Sequence, residues 1–118
     1  MKVLIVDDNE LMRSTIGALL TEMGHEVVGE AEEATGALES FSALKPELVF
    51  LDLVMPGKSG VEILGEIRAI DPKAKVVIVT AVEQTGIDKN LLKQGATAII
   101  RKPFSYEEFK ESVNRIAM

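Results

Sequence analysis

Leu48-Val49-Phe50-Leu51-Asp52-Leu53-Val54-Met55-Pro56-Gly57 decides how this chain folds. An apolar run enters a single carboxylate, Asp52, and leaves it through two more apolar residues, a Met, a Pro and a Gly. A run with no polar alternation describes a strand covered on both faces. Pro56-Gly57 ends it and opens a turn. Asp52 then sits at the carboxyl end of an interior strand, the rim where ligands gather in open α/β sheets. A lone acid in that place is costly unless something pairs with it or it reacts.

Similar runs lie on either side. Val3-Leu4-Ile5-Val6 precedes Asp7-Asp8-Asn9, of which Asp8 or Asn9 is placed to cap the next helix. Met12, Ile16, Leu19, Leu20 and Met23 form one apolar helix face, stopped by Gly24. His25 to Glu30 alternates in part, as a strand near a sheet edge does. Ala34, Leu38, Phe41 and Leu44 repeat at helical spacing up to Lys45-Pro46. After the Asp52 strand, Val61, Leu64, Ile67 and Ile70 mark a third helix closed by Asp71-Pro72. Lys75 to Ala81 is a second strongly apolar strand, ending at Thr80. Ile87 and Leu91 outline a weaker helix that ends at Gly95. Ala98-Ile99-Ile100-Arg101 leads into Lys102-Pro103-Phe104, and Ser105 with Glu108 forms a capping box. Tyr106, Phe109, Val113 and Ile116 give the last helix its apolar face.

This βα alternation, repeated five times with near-continuous apolar strands, predicts a parallel sheet with helices on both faces. At 118 residues the natural form is one α/β domain, residues 1–118, with a flavodoxin-like doubly wound sheet of order 2-1-3-4-5. The composition narrows the function. A formal charge of -6 argues against direct nucleic-acid or anionic-membrane binding. Without Cys there is no disulfide, thiolate metal site or cysteine nucleophile. No signal peptide and no apolar stretch of membrane-spanning length is present, so a soluble cytoplasmic protein is expected.

In the predicted sheet, the strand ends bring Asp7, Asp8, Asp52, Thr80 and Lys102 to one rim. Crowded carboxylates repel unless a cation sits among them. Hard oxygen donors suit Mg²⁺. A metal, an ammonium and a hydroxyl together can hold a phosphoryl group, with Asp52 as the nucleophile that forms an acyl phosphate.

The chain resembles the receiver domains of two-component response regulators, in particular the chemotaxis regulators. The resemblance runs from Lys2 to about Ala117. It rests on Val6-Asp7-Asp8, on Leu51-Asp52-Leu53-Val54-Met55-Pro56-Gly57, on Thr80-Ala81 and on Lys102-Pro103-Phe104 at their mutual spacings. It implies that Asp52 accepts a phosphoryl group from a phosphohistidine on a sensor histidine kinase or a histidine phosphotransfer protein. It implies Mg²⁺ held by Asp8, Asp52 and the backbone carbonyl of Val54, with Asp7 acting mainly through a bound water. Lys102 would pair with Asp52 before transfer and with the phosphoryl group after it. Thr80 would turn inward to a phosphoryl oxygen, and the amides of Val54 and Ala81 would donate to the others. The Lys102–Pro103 bond would be cis. Output would pass to an unknown partner through the fourth helix, fifth strand and fifth helix, or through a phosphorylation-dependent homodimer. With no output domain among these residues, that output is expected to be by protein contact.

Two departures stand out. The family commonly has Tyr or Phe three residues before the Lys, where this chain has Ile99, and Tyr106 in the last helix cannot stand in. Val54 and Val82 flank the site two residues after Asp52 and Thr80, and neither can orient an attacking water, so slow hydrolysis of the phospho-Asp is expected. An aspartyl-phosphate phosphatase or phosphotransferase of the haloacid dehalogenase type is the main alternative. It requires a second acid two residues after the nucleophile, which neither Asp7-Asp8-Asn9 nor Asp52-Leu53-Val54 supplies. A flavin or nucleotide carrier would need a Gly-rich phosphate loop after the first strand, where this chain has acids. A receiver that no longer phosphorylates is disfavoured by the full set of site residues.

Overall fold

The computed structural model describes residues 1–54, 58–81 and 85–117. Its elements alternate as β1 (Lys2–Val6), α1 (Glu10–Glu22), β2 (Glu26–Ala31), α2 (Ala34–Leu44), β3 (Leu48–Leu51), α3 (Gly60–Ile70), β4 (Lys75–Thr80), α4 (Thr85–Lys93), β5 (Ala98–Arg101) and α5 (Tyr106–Ala117). The strands form one parallel sheet ordered β2-β1-β3-β4-β5, so the predicted doubly wound, flavodoxin-like fold holds.

The two-residue period of the strands divides the core between the two faces. Leu4, Val6, Val49, Leu51, Val76 and Ile78 pack on one side with Phe41 of α2, Ile63, Leu64 and Ile67 of α3 and Leu91 of α4. Val3, Ile5, Leu48, Phe50, Val77 and Val79 pack on the other with Ile16 and Leu20 of α1 and Phe109, Val113 and Ile116 of α5. Phe109 stacks between Phe50 and Phe104, with ring centroids 5.5 and 5.2 Å away. Because both faces are covered, β1, β3 and β4 carry no polar residue between their first and last positions, which is why they read as unbroken apolar runs.

The helix ends follow local chemistry. Asn9 caps α1 by accepting from the Met12 amide at 3.0 Å. Gly24 and Gly95 take positive φ after α1 and α4. Ser59 caps α3 by accepting from Glu62, and Ser105 accepts from the amide of Glu108 at the start of α5. The start of α2 combines a buried and a solvated residue. Ala31 is a buried strand residue, and the Glu33 carboxylate caps the helix by accepting from the amides of Thr35 and Gly36. The apolar periodicity also runs past the core at helix ends. Leu44 and Ile70, the last residues of α2 and α3, and Tyr106, the first of α5, are exposed. The turn at Met55-Pro56-Gly57, the position of Val82 and the side chain of Ile87 lie outside the described residues.

Candidate functional site

The strand register sets the site before any side chain does. Val6 pairs with Leu51, so Asp7 and Asp52 emerge side by side, and the Asp52 amide donates to the Val6 carbonyl at 3.0 Å. Thr80 pairs with Arg101 across β4 and β5, and the Lys102 amide donates to the Thr80 carbonyl at 2.9 Å. Four strands thus deliver Asp7, Asp52, Thr80 and Lys102 to one carboxyl-terminal rim. Asp7, Asp52 and Thr80 are the polar side chains that are buried among the described residues. Burial of that kind is expensive unless the groups have partners.

The partners are present. The Lys102 ammonium donates to Asp7 Oδ2 at 2.8 Å and to Asp52 Oδ2 at 3.4 Å. Its tighter contact is with Asp7, the more deeply buried of the two acids, rather than with Asp52. Asp52 Oδ1 accepts from the Val54 amide at 3.3 Å, so that amide already faces the carboxylate. Asp7 Oδ1 accepts from the Asn9 amide at 2.9 Å. The Lys102–Pro103 bond is cis. Ala81, by contrast, is exposed at the end of β4.

Burial pushes the Asp52 carboxyl above the usual carboxylate range. The charge of Lys102 and the Val54 amide pull it back, and the charge of Asp7 adds to the push. The folded state therefore holds its proton more tightly than the unfolded chain. As pH rises from the unfolded value through this raised one, ionising Asp52 costs stability. A positive charge placed in the site relieves that cost.

Asp7, Asp8 and Asp52 each offer one carboxylate oxygen, and these three oxygens lie within 4.8 Å of one another. Asp7 and Asp52 are buried and Asp8 is exposed, which leaves the cluster open to solvent on one side. Three hard oxygen donors facing one ammonium, with an open side, fit an oxygen-seeking divalent cation such as Mg²⁺.

Two contributors have no signature in the sequence. Gly60, the first residue of α3, lies against the backbone of Asp52 and Leu53 and donates its amide to the Leu53 carbonyl at 2.9 Å. Arg13 reaches from α1 to the backbone carbonyl of Asp7 at 2.6 Å. The first reads in the sequence only as one more glycine after Pro56-Gly57. The second reads simply as a polar position on an amphipathic helix. His25 is partly buried, with Nδ1 3.1 Å from the N-terminal amine. Burial and that neighbouring charge lower its pKa.

The family model of the response regulator receiver domain matches residues 3–114. The chain belongs to this family. The receiver is similar to the chemotaxis protein CheY of Thermotoga maritima, 37% identical over 116 residues that make up 98% of this chain and 97% of that one. It is 38% identical to the CheY of Listeria monocytogenes over 117 residues, 99% of this chain and 98% of the other. Its fold matches a crystal structure of a CheX–CheY–BeF3–Mg complex from Borrelia burgdorferi with a TM-score of 0.96 and 25% identity, covering all of this chain and 90% of that one. As a CheY-like receiver it is a two-component signalling domain, and its acidic cluster occupies the strand-end rim of that fold. No helix among the described residues is long and apolar enough to cross a membrane.

Proposed function

We propose that this receiver takes a phosphoryl group onto Asp52 from a phosphohistidine of a sensor histidine kinase or a histidine phosphotransfer protein, in a Mg²⁺-dependent step. The observation that carries the proposal is the convergence of the Asp7, Asp8 and Asp52 oxygens within 4.8 Å beside an ammonium that donates to two of them. Asp8, Asp52 and the Val54 carbonyl would hold the metal, with Asp7 acting through a water. When bound, Mg²⁺ would neutralise charge between the carboxylates and the phosphoryl oxygens.

The residues do the rest by position. An Asp52 oxygen forms the new bond to phosphorus while the phosphorus–nitrogen bond to the imidazole breaks, the electron pair returning to that nitrogen. Lys102 moves from the carboxylates to the transferred oxygens. Thr80, fully buried beside the site, supplies a hydroxyl to the acyl phosphate, and the Val54 and Ala81 amides donate to it. The side chains therefore exchange partners, and a switch between two states follows from that exchange.

The face of α4, β5 and α5 is the proposed output surface, for an unidentified protein partner or a second phosphorylated copy. It carries an Asp88–Arg101 ion pair that ties α4 to β5, and Ile99 is partly buried against the core cluster that includes Leu91 of α4. No aromatic swings at position 99, so coupling runs through Thr80 and an aliphatic side chain.

Incubation with Mg²⁺ and acetyl phosphate, followed by intact-mass measurement, tests the proposal. Wild type gains one phosphate; Asp52→Ala gains none. A gain in both would move the chemistry away from Asp52. A second expected result concerns lifetime. Val54 is 65% exposed beside Asp52 and offers no group to orient water. Val54→Asn should shorten the phospho-Asp half-life severalfold, read by the decay of the phosphorylated mass. An unchanged half-life removes Val54 from the account.

A further inference from the structure

We propose that Arg13 is a positioning residue for the cation site, fixing the turn that presents Asp7 and Asp8. The inference rests on the reading of that cluster as a Mg²⁺ site. Every hydrogen-bonding group of Asp7 is held. Its amide donates to the Ala31 carbonyl at 3.0 Å, its Oδ1 accepts from Asn9 and its Oδ2 accepts from Lys102. Its carbonyl accepts from Arg13 Nη1 at 2.6 Å. The other edge of the guanidinium is anchored as well, with Nε donating to Glu30 at 3.2 Å.

Arg13 is the fourth residue of α1, and helical side chains lean toward the N-terminus, so it reaches back to the strand end it serves. A cation this close to the positive end of the helix dipole does not help the helix. Its side chain is nonetheless 13% exposed, held between β1 and the end of β2. The contact therefore ties the turn at Asp7 and Asp8 to the neighbouring strand.

Two effects of opposite sign separate this role from simple electrostatics. The guanidinium is positive and repels a divalent cation, so charge alone predicts tighter Mg²⁺ binding when Arg13 is removed. Positioning predicts weaker binding. Groups that orient metal ligands typically contribute tenfold or more to affinity.

The test is a Mg²⁺ titration of the unphosphorylated protein, read by backbone amide shifts at Asp8, Asn9 and Asp52. Arg13→Met should raise the dissociation constant about tenfold. Arg13→Lys, which keeps the charge and one donor on a looser stem, should fall between it and wild type. Without metal, the Asn9 amide should exchange with solvent faster in Arg13→Met. Equal or tighter Mg²⁺ binding in Arg13→Met overturns the inference. If Arg13→Met does not fold, Arg13→Lys decides the matter: weaker binding than wild type supports positioning, and unchanged binding overturns it. Asp8→Asn keeps the two claims apart. If Asp8→Asn binds Mg²⁺ as well as wild type, the cation-site reading fails, and the role of Arg13 fails with it. If Asp8→Asn loses binding while the Arg13 variants keep it, only the Arg13 inference fails.

Discussion

Lys102→Ala should lose phosphoryl transfer to Asp52 by about 10²–10³-fold, the usual effect of removing one prepositioned donor from a developing charge. Lys102 is the ammonium that donates to both Asp7 and Asp52. Without it the transferred oxygens keep the neutral donors of Thr80, Val54 and Ala81 but lose the ammonium that would meet their charge. The substitution also acts before transfer. Lys102 is among the influences that hold the Asp52 carboxyl down against burial, and Asp7 pushes the same way as burial. Its loss raises Asp52 further, so the proton competes with Mg²⁺ and with the donor at higher pH. The acid limb of the pH–rate profile should therefore move upward in the variant.

Stability should fall as well, since Asp7 and Asp52 then face each other with no cation. The cost lies between the roughly 1 kcal/mol of an exposed pair and the 3–5 kcal/mol of a fully buried one. Adding Asp52→Asn should recover part of it by removing one of the two charges. Rates from intact mass over a pH series, with thermal melts of the single and double variants, check all three outcomes. A Lys102→Ala protein that phosphorylates at the wild-type rate would remove Lys102 from the site.

Gly60→Ala should destabilise the fold by about 1–3 kcal/mol and slow phosphorylation, whereas Gly65→Ala in the same helix should stabilise it by about 0.5–1 kcal/mol. A Cβ on Gly60 would lie 2.5 Å from the Asp52 carbonyl oxygen and 2.7 Å from the Leu53 Cα. Both are backbone atoms, so no side chain can turn aside. Relief requires α3 to lift or the residues around Asp52 to shift, and the second disturbs the nucleophile. A Cβ on Gly65 meets nothing within 4 Å, so there the better helix propensity of Ala acts unopposed. That propensity gain is the most Gly60→Ala can recover, and it is smaller than the overlap costs. Thermal melts of both variants and the phosphorylation rate of Gly60→Ala provide the check. Equal melting temperatures would mean that α3 approaches β3 less closely than described.

The sheet was legible because both of its faces are covered. Val3 to Val6, Leu48 to Leu51 and Val76 to Val79 are unbroken apolar runs, and each leads to a polar residue at the rim. The same fact made the site legible, since Asp7, Asp52, Thr80 and Lys102 each follow or end a strand. Helix ends were less legible. Leu44, Ile70 and Tyr106 keep the helical period but are exposed, and periodicity alone does not say where cover stops. The remaining gaps are contacts rather than patterns. Nothing in the residue order tells that Lys102 sits closer to Asp7 than to Asp52, that Glu33 caps α2, or that Arg13 and Gly60 brace the site from α1 and α3. These depend on distances between elements far apart in the chain.

A crystal soaked in Mg²⁺ tests the central claim most directly. The account predicts an ion about 2.0–2.1 Å from carboxylate oxygens of Asp8 and Asp52 and from the Val54 carbonyl, with Asp7 reached through a water. A pocket left empty at saturating Mg²⁺, or an ion bound on acids elsewhere while Lys102 keeps both of its carboxylates, would contradict it.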